Sequence, residues 1–87
     1  MSIWVAKLNI SGRTAHKITG VHGLQPDEVR AAVEQVRGLP YAWHDHPERG
    51  RRAIVRVKLR GRSHLIVLYP ATDPVGDVWN LGSAYPI

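Results

Sequence analysis

The stretch RAIVRVKLRGRSHLIVLY (residues 52–69) decides the fold. It holds two β-rich runs, 52–60 and 63–69, with Gly61 between them, the pattern of a hairpin. Side chains on a strand alternate between faces, so the register follows from the pairing that leaves one face apolar. In the first run Ala53, Val55, Val57 and Leu59 share one face, and Ile54, Arg56, Lys58 and Arg60 share the other. In the second, Leu65, Val67 and Tyr69 stand opposite in facing to His64, Ile66 and Leu68. A two-residue loop, Arg60–Gly61, sets Val57 against His64 and mixes charge with apolar side chains on both faces. A three-residue loop, Arg60–Gly61–Arg62, sets Val57 against Leu65 and Val55 against Val67. That leaves one clean apolar face, so the alternation favours the odd loop or an equivalent bulge. The odd loop also gathers Arg56, Lys58 and His64 on the far face, with Arg52 extending the row. Two readings of that row stand side by side: a surface built to meet an anion, or a solvated outer face.

The flanking sequence supplies the rest. SIWVAKLNI (residues 2–10) reads as an N-terminal strand, with Gly12 and Arg13 as a turn after it. Residues 14–22 form a short helical pattern stopped by Gly23. Pro26, Asp27 and Glu28 open a second helix, expected over 26–37, whose Val29, Ala32, Val33 and Val36 make one apolar stripe before Gly38. Residues 41–45 form a short strand, and residues 77–84 the last one. Pro70, Asp73, Pro74 and Gly76 mark the loop before it. The expected order is β-α-α-β-β-β-β. That is an α+β domain over residues 1–87, with the N-terminal strand and the helices packed on one face of an antiparallel sheet.

Composition narrows the function. The chain has 87 residues, enough for one core. It contains no cysteine, which excludes a disulfide scaffold, a thiolate zinc or iron–sulfur site and a thiol nucleophile. No apolar run reaches membrane-spanning length and the N-terminus lacks a signal-peptide pattern, so a cytoplasmic location is expected. Twelve Lys and Arg against seven Asp and Glu give a net charge of +5, and nine of the twelve are Arg. The guanidinium fork suits phosphate oxygens, so the charge points to a polyanion, with nucleic acid foremost. Seven of the cations fall in residues 49–62, where no acid stands.

Cleaving RNA requires a base for the 2′-hydroxyl, cations for the phosphorane and an acid for the leaving 5′-oxygen. On this pattern Arg56 and Lys58 hold the phosphate, His64 serves as acid or base, and Tyr85 stacks on a base or donates its proton. Arg49, Arg51, Arg52, Arg60 and Arg62 steer the RNA. His64 also fits the bland reading of an ordinary sheet histidine. His44 and His46 share a strand face but lack a clear third ligand, so no metal site is expected. Trp4, Trp43 and Trp79 read as core, with Trp43 and Tyr41 alternatively placed to stack on bases. His16 and His22 face solvent or cap the first helix. No phosphate-loop or nucleophile-elbow motif is present, and no cofactor is expected.

Three segments in order, HKITGVHGLQPDEVRAAV (16–33), RRAIVRVKLRGRSHLIVLYPA (51–71) and VWNLGSA (78–84), resemble BrnT-type toxins and their relatives in the RelE/ParE superfamily. The resemblance runs through His22-Gly23-Leu24, Pro26-Asp27-Glu28-Val29, Gly61-Arg62 with Leu65 to Tyr69, and Asn80 to Ala84. It covers about residues 14–85. It implies a small bacterial type II toxin, a metal-independent endoribonuclease that cuts mRNA through a basic sheet face and is neutralised by a cognate antitoxin. The family's N-terminal Phe/Trp-Asp-Pro signature is absent, and Tyr85 stands where the family's closing arginine is usual. Two other functions fit the same residues: a nucleic-acid-binding module without catalysis, and an interaction protein that docks an acidic partner.

Overall fold

The computed structural model describes residues 2–72 and 76–87; Asp73 and Pro74 of the expected loop lie outside them. The elements are β1 (Ser2–Ile3), β2 (Lys7–Asn9), α1 (Gly12–His22), α2 (Pro26–Val33), β3 (Leu39–His46), β4 (Gly50–Leu59), β5 (Arg62–Pro70) and β6 (Val78–Pro86). The two helices pack against a curled six-stranded sheet of order β1-β3-β4-β5-β6-β2.

Local chemistry sets the helix ends. The Ser11 hydroxyl accepts from the Thr14 amide, so α1 starts two residues earlier than the sequence pattern suggested. Gly23 closes α1 in the left-handed region at φ 68°, its N–H donating to the Thr19 carbonyl at 3.0 Å. Pro26 begins α2, and the Glu28 carboxylate accepts from the Gln25 N–H at 2.8 Å. α2 was expected to run to residue 37 but ends at Val33. Glu34 turns extended, its carboxylate accepts from the Leu8 N–H, and the Gln35 N–H donates to the Val5 carbonyl at 2.7 Å. These bonds to the N-terminal segment replace the last helical turn, and they hold Gln35 at φ 56°.

The expected single strand over 2–10 is two short strands on opposite edges of the sheet. β1 pairs antiparallel with β3, and β2 pairs parallel with β6, so the sheet is mixed rather than antiparallel throughout. Residues 4–6 cross between the edges, with Val5 fully buried beneath the crossing.

The hairpin register differs from the expected one. Leu59 pairs with Arg62, Val57 with His64 and Arg56 with Leu65. The loop is the two-residue Arg60–Gly61, both at positive φ (54° and 77°), the type I′ geometry whose twist matches that of the flanking strands. The displaced residue sits instead at Gly82 of β6, where the pairing slips between Val67–Ser83 and Leu68–Leu81.

The core lies on the concave side. Ala53, Val55 and Leu59 of β4, Ile66 and Leu68 of β5, and Trp79, Leu81 and Ala84 of β6 close on Ile18, Val29 and Val33 of the helices. Of the tryptophans expected in the core, only Trp79 is buried; Trp4 and Trp43 are each 41% exposed. Trp43 nonetheless approaches Trp79 with ring centroids 6.0 Å apart, across two intervening strands. No helix among the described residues is long and apolar enough to cross a membrane.

Two predictions follow from the α2 terminus. Gln35→Gly removes a left-handed strain and should stabilise the protein by about 0.5–1 kcal/mol in urea unfolding, whereas Gln35→Val should destabilise it by at least about 1 kcal/mol. The Glu34 carboxyl lies below its ordinary value of 4.5, first because the Leu8 N–H bonds its anion and then because Arg30 does. Its contribution is therefore complete above pH 4.5 and fades as pH falls through the lowered folded value. Glu34→Gln should make the loss of stability between pH 5 and 3 shallower, read as urea midpoints across that range.

Candidate nucleic-acid interface

Alternation along β4 divides its side chains. Ala53, Val55, Val57 and Leu59 face the helices, while Arg52, Ile54, Arg56 and Lys58 face the opposite, convex side, which no helix among the described residues covers, although α1 borders it along β6. Cross-strand pairing arranges this open face into rows. Arg56, Leu65 and Tyr85 form one, and Ile54, Val67 and Ser83 the next. The third is polar and spans five strands. His44 pairs with Arg52, whose Nε–H donates to His44 Nδ1 at 3.1 Å and whose Nη1 donates to the Tyr69 hydroxyl at 3.3 Å. Tyr69 pairs with Asn80, and the Asn80 Oδ1 accepts from Asn9 Nδ2 at 3.1 Å. Because the guanidinium can only donate, His44 Nδ1 accepts, and the neutral ring carries its proton on Nε2.

Arg56 and Lys58 stand exposed on the open face, as the strand alternation required, and half-buried Tyr85 shares the row of Arg56. The Tyr85 ring also approaches His22 of α1, with centroids 6.5 Å apart. His64 does not join them. It is opposite Val57 in the row that faces the helices, is 5% exposed, and its Nδ1 donates to the Arg62 carbonyl at 2.8 Å. The expected convergence of Arg56, Lys58 and His64 therefore fails, because the two-residue turn shifts β5 by one position and sends His64 to the other face.

The basic segment is similarly divided. Arg60 is bound by both oxygens of Glu28 at 3.0 Å, tying the hairpin turn to the start of α2. That contact, after the Gln25 N–H, holds the Glu28 carboxyl below its ordinary value. Arg51 lies over the Trp43 ring, 4.3 Å from its centroid. Arg62 lines a small cleft with His22, Leu24 and His64. Arg49 lies at the β3–β4 turn, where its N–H and that of Glu48 both donate to His46 Nδ1. His46 thus closes the turn, and no group of three metal-ligating side chains occurs among the described residues.

Sequence reasoning missed His44, Tyr69 and Asn80 as a linked row. The signal for His44 was its strand position beside the basic segment, but it was weighed only with His46. It also missed Arg13 and Lys17, whose i, i+4 spacing on α1 sets them on one helix face.

No protein-family model, curated protein or solved structure matches this chain.

At Gly82 the Tyr69 ring packs against the backbone of β6. A Cβ there would stand 2.7 Å from Tyr69 Cδ2 and closer still to Cε2, so the ring lies directly on the glycine. Gly82→Ala should displace Tyr69, cost about 1–3 kcal/mol in denaturant unfolding, and shift the Tyr69 and Arg52 side-chain resonances.

Proposed function

We propose that this chain binds RNA across the open face of its sheet. Arg56 and Lys58 supply phosphate contacts, Arg52 adds its remaining guanidinium donors, and Tyr69 and Tyr85 offer ring surfaces to bases. The observation that carries the reading is a sheet face that no described helix covers, on which exposed cations alternate with half-buried aromatic and apolar side chains around buried Val67. Cations interleaved with aromatic side chains suit an unpaired strand, whose bases are free to stack.

The sharper form of the same reading is a toxin-type, metal-independent endoribonuclease working in the cytoplasm on mRNA and covered by a cognate antitoxin. Its support is the order of segments that resembles BrnT-type toxins, the α+β build, and a histidine on the basic face. In this form the histidine that serves as acid or base is His44 rather than His64, because His44 is exposed beside Arg52 whereas His64 faces the helices.

Anisotropy titration of a labelled single-stranded RNA tests the binding. Arg56→Ala with Lys58→Ala should weaken it about tenfold or more and reduce the log–log salt slope by about 1.4, two contacts at about 0.7 each. Unchanged affinity and slope would remove the open face from the proposal. Incubation with RNA in EDTA tests the nuclease form. Cleavage by the wild type that His44→Gln abolishes is the expected result; intact RNA with the wild type leaves a non-catalytic binding module.

A further inference from the structure

A second basic site lies beside the open face. Arg13, Thr14 and Lys17 of α1, Arg49 of the β3–β4 turn and Gly82 of β6 line one cleft of about 330 Å³. Three cations from two separate parts of the chain meet there, and no carboxylate is among the lining residues. Like charges brought together repel, so such a grouping is stabilised when an anion sits between them. Each wall has a local reason for its position. Arg13 and Lys17 are one helical turn apart, so both project from the same side of α1. The turn that carries Arg49 is closed by His46 Nδ1, which accepts from the Arg49 N–H at 3.0 Å. The Thr14 hydroxyl oxygen accepts from Ser11, which leaves its own proton to donate. Gly82 contributes only backbone to the cleft, because the Tyr69 ring occupies the place a side chain would take there.

The cleft is continuous with the open face. A neighbouring hollow shares Thr14, Arg49 and Gly82 and extends past Leu81 along Tyr69 and Asn80 of the polar row. A strand on the open face therefore leads into the cationic cleft. An internal phosphodiester carries one negative charge, for which three cations are an excess. A terminal phosphomonoester carries close to two at neutral pH and presents three acceptor oxygens, which matches two guanidinium groups, an ammonium and a hydroxyl.

We infer that this cleft binds the terminal phosphomonoester of an RNA strand whose adjoining nucleotides lie on the open face. The inference rests on the RNA-binding reading above and deepens it: the protein distinguishes a phosphorylated RNA end from the middle of a chain.

Three RNA oligonucleotides of one sequence, carrying a 5′-phosphate, a 3′-phosphate or hydroxyls at both ends, test it by anisotropy. One of the two phosphorylated RNAs should bind about tenfold tighter than the hydroxyl-ended one, and which one identifies the end that is read. Arg13→Ala, Lys17→Ala and Arg49→Ala combined should erase the preference. Arg56→Ala with Lys58→Ala should weaken all three RNAs and keep the preference. Equal affinity of the wild type for all three overturns the inference and leaves RNA binding standing. A backbone-amide NMR titration with pyrophosphate separates the remaining cases. If no RNA binds but the amides of Arg13, Thr14, Lys17, Arg49 and Gly82 shift together, the anion site stands and its RNA ligand is overturned. If no RNA binds and those amides stay still, both readings fall.

Discussion

The fold depends on a chain too short to cross a flat sheet. β1 and β2 occupy opposite edges, yet only residues 4–6 join them. From Ile3 to Lys7 a fully extended backbone reaches about 14 Å. Six strands laid flat are five spacings wide, about 24 Å. The sheet must therefore curl until its edges approach. The curl brings Trp43 of β3 to the buried Trp79 of β6. It wraps the concave side around Val5, the crossing and both helices. It also spreads the convex side outward, where side chains splay apart. Cations on that side are thus further from one another than they would be on a flat sheet, which eases the cost of leaving them together.

Six of the seven cations of residues 49–62 have distinguishable physical settings. Arg60 is spent as a structural tie to Glu28, and Arg51 covers an aromatic ring that the curl leaves half in water. Arg52 orients His44 and Tyr69. Only Arg56 and Lys58 project freely from the convex face, while Arg49 looks toward α1. A surface tie between exposed groups adds little to stability, about 0–1 kcal/mol. The value of the Arg60–Glu28 contact is geometric, since it anchors a two-residue turn whose register decides what every residue of β5 faces.

Much of the architecture was legible because its signals are local. The second helix is marked by Pro26, Asp27 and Glu28, the first stops at Gly23, and the three long strands stand out as β-rich runs between turn residues, the first two joined as a hairpin at Gly61. What was not legible depends on partners distant in sequence. α2 stops at Val33 because Val5 and Leu8 claim the hydrogen-bonding groups of Gln35 and Glu34, and nothing near residue 34 encodes that. A clean apolar face and a favourable turn demand different registers of this hairpin, and the turn prevails. The Arg60–Gly61 pair fits a type I′ loop so well that the sheet accepts His64 on its inner face, where the Arg62 carbonyl satisfies the ring. The basic segment was read as one patch because its residues are neighbours in sequence, whereas strand alternation sends them to different surfaces. Arg56 and Lys58 survived that division, and the cleft of Arg13, Lys17 and Arg49 arose from it.

The parallel pairing of β2 with β6 has a kinetic side. Asn9 and Asn80, hydrogen-bonded to each other, are 71 residues apart. The β3–β4–β5 meander closes through short turns and can form early, but β2 has no partner until β6 is in place. Closing so long a loop slows folding, because the entropy is lost before the contacts form. On a ribosome β2 is made before β3, β4 and β5 yet docks after them, once β6 has emerged. Until then Leu8 lacks its place in the core, so the newborn chain passes through a stage with its inner surface uncovered at one edge. A protein built this way gains its final shape in one late step, when β2 meets β6.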